Sequence, residues 1–146
     1  MKLYMVMEKN SKRVIFIDSD IFIALSKSDD SNHDKALKIL NKFFDEIIFT
    51  TSNYVISEVI TVLSMQLGHS QALDFINTIK SEENIFSINW VDDKVENLAI
   101  EIFKKQTSKN TSFTDCTNMA FIEMLKLDGI FSFDSVYKKN KCVILE

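Results

Sequence analysis

One apolar run broken by two acids dominates the amino-terminal part of the sequence: Val14-Ile15-Phe16-Ile17-Asp18-Ser19-Asp20-Ile21-Phe22. A short, uninterrupted run of apolar and β-branched residues is typical of a strand that is buried on both faces, as in a parallel sheet covered by helices. Asp18 would then stand at the carboxyl end of that strand, where open α/β sheets bind their ligands. An Asp after a strand also commonly caps the following helix, so both roles stay open for Asp18.

Segments with strand and helix patterns alternate along the rest of the chain. Further strands are predicted at 47–49, 85–88, 130–133 and 142–145, with helical periodicity between them. The chain has two glycines and no proline, and it contains no hairpin turn signal. Such alternation predicts an α/β fold: a three-layer α/β/α sandwich with a mainly parallel central sheet of four to five strands.

Several local features are expected at the ends of these elements. Ser31 is expected to cap the second helix, and Ser52 or Asn53 to cap a long helix that ends at Gly68. Asn140 is expected to adopt a left-handed backbone conformation before the last strand, because Asn tolerates that region better than most residues.

Length and composition bound the class of protein. The chain has 146 residues, 46% of them hydrophobic and 26% charged, which fits one globular domain with a substantial core. We expect this domain to span residues 14–146, with residues 1–13 a leader or an extra edge strand. Apolar runs are too short for a membrane span, and the start lacks the features of a signal peptide.

The two cysteines, Cys116 and Cys142, are too few for a disulfide framework or a zinc site. We therefore expect a cytoplasmic protein, with Cys116 in the core rather than acting as a nucleophile. The net charge of −4 argues against a general nucleic-acid coat protein. It does not exclude a nuclease, because the carboxylates that bind metal ions themselves add negative charge.

Four carboxylates occupy positions that a parallel sheet would bring towards one edge. Asp18 and Asp134 follow strands, and Asp115 stands in the first turn of a helix, where it would also serve as a stabilising cap. Glu58 lies inside an apolar helical stripe and needs a partner there. Hard oxygen ligands without His or Cys favour Mg²⁺ or Mn²⁺. Such an ion can activate water for phosphoryl transfer, so the pattern predicts metal-dependent phosphodiester hydrolysis.

The segments around these acids resemble, in order and spacing, the four acidic motifs of the PIN-domain family. They are Ile15-Phe16-Ile17-Asp18-Ser19-Asp20, Thr50-Thr51-Ser52-Asn53-Tyr54-Val55-Ile56-Ser57-Glu58-Val59, Ser112-Phe113-Thr114-Asp115-Cys116 and Phe131-Ser132-Phe133-Asp134. The likeness covers nearly the whole chain from Val14 to Glu146. Within the family, the sequence looks most like VapC-type ribonucleases, the toxins of prokaryotic toxin–antitoxin pairs.

The resemblance implies an RNA endonuclease that depends on Mg²⁺ or Mn²⁺, is frequently a homodimer and has a protein antitoxin as a possible partner. By position, Asp18, Glu58, Asp115 and Asp134 would be the catalytic, metal-binding acids, and Ser112 would help to hold the site. Two residues depart from the family pattern. Asp20 replaces the usual Ser, Thr or Asn, where it could add a ligand or shift the metal preference, and Asn140 replaces a common Gly.

Six lysines are candidate RNA contacts: Lys104, Lys105, Lys109, Lys138, Lys139 and Lys141. The first three also fit a solvated helix end. The alternative function is a non-catalytic, PIN-like binding or assembly module with structural carboxylates, which the acidic composition and the sparse basic surface would suit.

Overall fold

The computed structural model describes residues 12–146. The elements follow one another in the order β1 Arg13–Ile17, α1 Ser19–Ser26, α2 His33–Phe43, β2 Ile47–Ser52, α3 Asn53–Leu67, α4 His69–Lys80, β3 Phe86–Asn89, α5 Asp93–Lys104, α6 Phe113–Met124, β4 Gly129–Phe131 and α7 Ser135–Lys139. Strands and helices thus alternate as the sequence pattern predicts.

The central sheet has four strands in the order β3-β2-β1-β4, and every neighbouring pair is parallel. Helices flank this sheet, and the predicted α/β class is confirmed. The chain moves outward from β1 to β2 and β3, and it then returns to place β4 on the other side of β1. This reversal makes the crevice between the carboxyl ends of β1 and β4 the topological switch point, where such sheets bind ligands.

The core is built around β1, whose last three residues, Ile15, Phe16 and Ile17, are fully buried. Burial of both strand faces explains why the sequence shows an unbroken apolar run there and not an alternating one. Phe16 stacks on Phe121 of α6 with ring centroids 5.9 Å apart. Each large apolar side chain buried in this way contributes about 1.5–3 kcal/mol to stability.

Two predictions at helix ends are wrong. Ser31 does not cap α2, which begins at His33 after Asn32 and has no side-chain cap hydrogen bond. The left-handed residue near the carboxyl end is Lys141, with φ 62°, and not Asn140, with φ −94°. Asn140 instead closes α7, because its backbone N–H donates to Val136 O and Tyr137 O, so the change of direction falls one residue later.

The predicted strand at 142–145 forms only a single parallel bridge, between Ile130 and Ile144. It runs close to β4, because Ile130 N donates to Val143 O over 2.9 Å. The approach is so tight that a Cβ on Gly129 would lie 2.5 Å from Val143 O. β4 has three residues, which leaves little backbone for a fifth strand to pair with.

The predicted leader, residues 1–13, lies almost entirely outside the described residues, and β1 begins at Arg13. None of the helices between residues 12 and 146 combines the length and the apolar character that crossing a membrane requires. Cys116 is fully buried, which confirms its predicted place in the core.

Candidate active site

Asp18 links the ends of β1 and β4 at the switch point. Its backbone N–H donates to Phe131 O over 3.1 Å, and its Oδ1 accepts from Ser19 N over 2.7 Å as the N-cap of α1. Asp18 therefore caps α1, and it lies at the edge of the sheet where such folds bind ligands, while its role as a metal ligand stays a prediction. Only 4% of it is exposed.

Three further side chains donate hydrogen bonds to the Asp18 carboxylate. Asn118 Nδ2 donates to Oδ1 over 3.0 Å, and the Tyr137 hydroxyl donates to Oδ2 over 2.6 Å. Ser132 Oγ lies 3.3 Å from the same Oδ2. These donors come from α6, α7 and the end of β4, so the carboxylate is fixed by segments far apart in the sequence.

Asp20 and Asp134 join this cluster through the segment that follows β4. Asp20 Oδ2 accepts from Phe133 N over 2.7 Å and contacts Ser132 Oγ at 3.2 Å. Ser132 Oγ also accepts from Asp134 N over 3.1 Å. Asp134 caps α7, because its Oδ1 accepts from Val136 N over 2.9 Å, and it is exposed.

Asp115 is held by its own helix and by Tyr137. Asp115 N donates to Ser112 Oγ over 3.0 Å, and Ser112 N donates to Asp115 Oδ2 over 2.8 Å, a reciprocal capping box at the start of α6. Asp115 Oδ1 lies 3.2 Å from the Tyr137 hydroxyl. The role of Ser112 as a support for Asp115 therefore has a direct geometric basis.

The site gathers buried acids without an opposite charge. The ion pair found among the described residues joins Lys104 to Glu101 on the surface of α5, away from these acids. Burial, followed by the charge of Asp20, raises the pKa of Asp18 from its ordinary value of 3.8 to about 7. The hydrogen bonds from Tyr137 and Ser19 act in the opposite direction and are too weak to prevent this rise.

The same physical causes act on the neighbouring acids. Burial is the main cause that raises the pKa of Asp20 and of Asp115, and the charge of Asp134 raises both further. Backbone and side-chain donors lower both pKa values without cancelling the effect. The four Asp side chains are therefore close enough to repel one another electrostatically.

The donor set fits a hard divalent cation. Two buried side-chain oxygens within residues 12–146 have no hydrogen-bond partner, Asp20 Oδ1 and Asn118 Oδ1, and both belong to this cluster. A surplus of buried carboxylate oxygen without counter-charge suits Mg²⁺ or Mn²⁺ and not a soft metal. In the described part of the chain, no three His, Cys, Asp or Glu side chains are already arranged as a metal site.

Glu58 lies half-buried in α3, and the hydrogen bonds that join the four Asp side chains do not include it. The predicted role of Glu58 as a metal ligand therefore stays a prediction.

The candidate RNA-binding lysines divide into groups. Lys105 and Lys139 line a polar cleft of about 350 Å³ that ends at Asp134. Lys138 lines a second cleft of about 420 Å³, which Asp134 also lines. Lys35 lines the same cleft and was not among the predicted RNA contacts.

The other lysines lie elsewhere. Lys104 is paired with Glu101 over 2.9 Å. Lys109 is exposed, and Lys141 lines a separate cavity with Lys105 that does not include Asp134. The six lysines therefore do not all line the clefts at Asp134, and their contact with RNA stays a prediction.

Three residues of the site were missed: Asn118, Ser132 and Tyr137. All are buried, and their polar atoms face the acids. Asn118 follows Asp115 by three residues, and Tyr137 follows Asp134 by three, so each shares a helical face with a motif acid. That spacing was the available signal. Ser132 lies within a motif but carries no pattern of its own.

Comparison with known proteins agrees with this geometry. The profile of the PIN domain matches residues 15–141. No match was found among curated proteins. The fold is similar to that of Mycobacterium tuberculosis VapC20, described as a sarcin–ricin loop cleaving toxin, with 23% identity and a TM-score of 0.80 over 88% of this chain and 96% of that one.

Two more solved structures share the fold at lower identity. FitAcB from Neisseria gonorrhoeae has 14% identity and a TM-score of 0.69 over 90% of this chain and 96% of that one. VapBC2 from Rickettsia felis, bound to a DNA fragment from its promoter, has 14% identity and a TM-score of 0.66 over 91% and 97%. The profile match covers most of the chain and includes Asp18, Asp115 and Asp134. The chain therefore belongs to the PIN-domain family.

Proposed function

We propose that this chain is a metal-dependent endoribonuclease and the toxin of a toxin–antitoxin pair. The observation that carries the proposal is the cluster of Asp18, Asp20, Asp115 and Asp134 at the switch point of the sheet, which has no cationic partner within residues 12–146. Carboxylates packed this closely repel one another, and a bound cation offsets that repulsion. Acids in such an environment are therefore typical of functional sites. Membership of the PIN-domain family supports a nuclease.

Asp18 and Asp115 would hold the ion from two sides, with Asp134 at the exposed mouth of the site. Asp20 Oδ1 has no hydrogen-bond partner among the residues that the structure describes, and it is proposed as a further ligand. Glu58 is proposed as a ligand from its motif alone. A bound Mg²⁺ or Mn²⁺ supplies a Lewis acid that activates water and offsets charge on the phosphoryl group. The protein contributes by fixing these carboxylates before substrate arrives.

The RNA backbone is proposed to cross the site over Asp134, between the two clefts that meet there. Lys105 and Lys139 line one cleft, and Lys138 and Lys35 line the other, so phosphates on either side of the scissile bond would each meet a cation. Lys35 Nζ lies 4.9 Å from the centroid of the Phe133 ring, a cation–π contact that orients the side chain. Lys104, which pairs with Glu101 on the surface of α5, lines neither of these two clefts.

A protein antitoxin is the proposed partner. It is supported by the likeness to VapBC2 from Rickettsia felis and to a toxin–antitoxin complex from Klebsiella pneumoniae, which has 12% identity and a TM-score of 0.57 over 84% of this chain and 88% of that one. Co-expression with any small reading frame beside the gene, followed by co-purification, tests this point. A homodimer is also proposed, and light scattering of the purified protein tests it.

A non-catalytic binding module is the second candidate. The observation that favours it is that Asp18, Asp115 and Asp134 each cap a helix, so each has a structural role that needs no metal. In that case, millimolar Mn²⁺ would neither raise the melting temperature nor support cleavage. A nuclease should be stabilised by the ion, by about 2.7 kcal/mol at 100 times the Kd.

The decisive experiment is cleavage of a labelled RNA by the purified full chain in Mn²⁺ and, in parallel, in EDTA. We expect cleavage only with the ion, and loss of cleavage in Asp115→Asn. Asp74→Asn, an exposed acid on α4, is the matched control and should cleave like the native chain. Cleavage in EDTA, or equal cleavage by Asp115→Asn and Asp74→Asn, would contradict the proposal.

A further inference from the structure

Tyr137 is unusual for its position in a short surface helix. α7 has five residues, and Lys138 and Lys139 beside Tyr137 are exposed, whereas Tyr137 is 0% exposed. The helix is fixed at its start by the Asp134 cap and at its end by a hydrogen bond from Cys142 N to Tyr137 O over 2.9 Å. The side chain is therefore inserted into the protein by a short and well-anchored segment.

In the described part of the chain, the hydroxyl of Tyr137 has hydrogen-bond partners only at the candidate active site. It donates to Asp18 Oδ2 over 2.6 Å, lies 3.2 Å from Asp115 Oδ1 and accepts from Asn118 Nδ2 over 2.9 Å. A buried hydroxyl costs free energy unless it is paired, and Phe would fill the same apolar space without that requirement. The core therefore has no need of this oxygen, and its contacts assign it to the acids.

The proton count around the hydroxyl is informative. A phenol has one proton, and two carboxylate oxygens approach it. The shorter distance assigns the proton to Asp18, which leaves Asp115 Oδ1 facing an oxygen without a hydrogen between them. Tyr137 thus lies between the Asp115 carboxylate of α6 and the Asp18 carboxylate that follows β1, and it donates its hydrogen bond to Asp18.

Asn118 fixes the orientation of this hydroxyl. Its Nδ2 donates both to Asp18 Oδ1 and to the Tyr137 oxygen, so its two N–H groups are used at the site. Its Oδ1 is buried and has no hydrogen-bond partner within the described residues. Asn118 and Tyr137 together surround Asp18 from one side.

We propose that Tyr137, oriented by Asn118, is a positioning residue that holds the Asp18 carboxylate beside Asp115 for the divalent ion. This proposal rests on the proposed function. Hydrogen bonds to metal-binding carboxylates fix their orientation, and loss of such a partner typically costs about 10–100-fold in metal affinity or activity. Tyr137 does not itself contact the ion in this assignment; it acts through Asp18.

The test is titration calorimetry of Mn²⁺ into the full-length Tyr137→Phe protein. The ring is kept and only the hydroxyl is removed, so we expect folding and a Kd for Mn²⁺ raised about 10–100-fold. Tyr54→Phe is the matched control, because the Tyr54 hydroxyl makes no hydrogen bond within the described residues, and its Kd should equal that of the native chain. A native-like Kd in Tyr137→Phe would overturn the proposal.

RNA cleavage at increasing Mn²⁺ separates positioning from a purely structural role. Cleavage by Tyr137→Phe should recover when Mn²⁺ exceeds the raised Kd, whereas a damaged fold would not recover. If Tyr137→Phe does not fold, the same titration on Asn118→Ser decides, with weaker Mn²⁺ binding expected and unchanged binding overturning the proposal.

Failure of this inference and failure of the proposed function give different results. If the native chain binds Mn²⁺ and cleaves RNA while Tyr137→Phe binds Mn²⁺ equally well, only the positioning role falls. If the native chain neither binds Mn²⁺ nor cleaves RNA, the proposed function falls and the positioning role falls with it.

Discussion

The two ends of the β1–β4 pair carry the same residue type in opposite environments. At the amino end, Asp128 and Val14 exchange two hydrogen bonds: Asp128 N donates to Val14 O over 2.9 Å, and Val14 N donates to Asp128 Oδ2 over 2.7 Å. Asp128 is exposed. At the carboxyl end, Asp18 is buried beside other acids, and burial raises its pKa to about 7.

The comparison shows that a carboxylate beside a strand end is not by itself a functional signal. The Asp128 carboxylate is exposed to solvent and accepts a hydrogen bond from one backbone N–H. The Asp18 carboxylate also accepts hydrogen bonds, but it is buried beside Asp20 and Asp115. Burial and the charges of these two acids disfavour its ionised form and raise its pKa. Burial among like charges, and not position on the strand, distinguishes the candidate active site.

The largest expected contrast between the two ends is in cleavage. Asp18→Asn removes a charge from the proposed metal centre, and we expect RNA cleavage in Mn²⁺ to fall by about 10²–10³-fold, the effect typical of losing one preorganised electrostatic group. Asp128→Asn keeps an acceptor for Val14 N and should cleave at close to the native rate. Equal losses in the two variants would erase the functional distinction between the ends.

The second contrast is in how stability depends on pH in the metal-free protein. The folded chain binds the Asp18 proton more tightly than the unfolded chain does, because burial raises the pKa from 3.8 to about 7. Stability should therefore fall as pH rises from about 4 to about 7, by at most about 1.4 kcal/mol per pH unit from this group. Urea unfolding in EDTA at several pH values measures this change in the free energy of unfolding.

Two variants serve as controls for this pH dependence. Asp18→Asn should flatten the fall in stability between pH 4 and 7, and Asp128→Asn should leave it unchanged. A native stability that rises over this range would show that Asp18 is not a buried, unneutralised acid.

A third prediction concerns the packing at the amino end, where Gly129 begins β4. A Cβ at this position would lie 2.5 Å from Val143 O, a backbone atom that cannot move aside without displacing the segment at 142–145. We expect Gly129→Ala to lower the free energy of unfolding by about 1–3 kcal/mol, as overpacking generally does. Urea unfolding measures the loss, and an unchanged midpoint would mean that the carboxyl-terminal segment is loosely held.

The smallest expected effect separates two adjacent lysines. Lys105 lines the cleft that ends at Asp134, whereas Lys104 is paired with Glu101. Lys105→Gln should weaken binding of single-stranded RNA in EDTA several-fold and reduce the slope of log K against log salt by about one. Lys104→Gln should change neither quantity. Equal effects would point to a diffuse electrostatic attraction and remove the cleft from the RNA path.

Local signals made much of this structure predictable. The buried strand β1 followed from one apolar run, and the cap at Ser52 followed from polar residues just before an apolar helical pattern. The positions of Asp18 and Asp115 were predictable because an apolar run precedes Asp18 and a polar segment precedes the helix that contains Asp115. Such features depend on residues only a few positions away in the chain, so they can be predicted from a single sequence.

The features that were missed depend on distant contacts. In the sequence, Tyr137 has the pattern of an apolar residue in a short helix, and only the fold brings its hydroxyl to Asp18. Asn118 likewise has the pattern of an ordinary helical residue, although its amide donates to Asp18. The segment at 142–145 has a strand composition but too little of β4 to pair with. In each case the deciding partner lies outside the local window, so neither periodicity nor propensity records it.

The position of β4 in the chain has a consequence for synthesis. Val14 and Asp128, which join β1 to β4, are separated by 114 positions, and Asp18 and Tyr137 by 119. β1 pairs with β2, which ends at Ser52, and the other edge of β1 then stays unpaired until Gly129–Phe131 has been made. A growing chain therefore presents an open strand edge to chaperones and to other nascent chains. It also carries Asp18 without the tyrosine that orients it until residue 137 has been added.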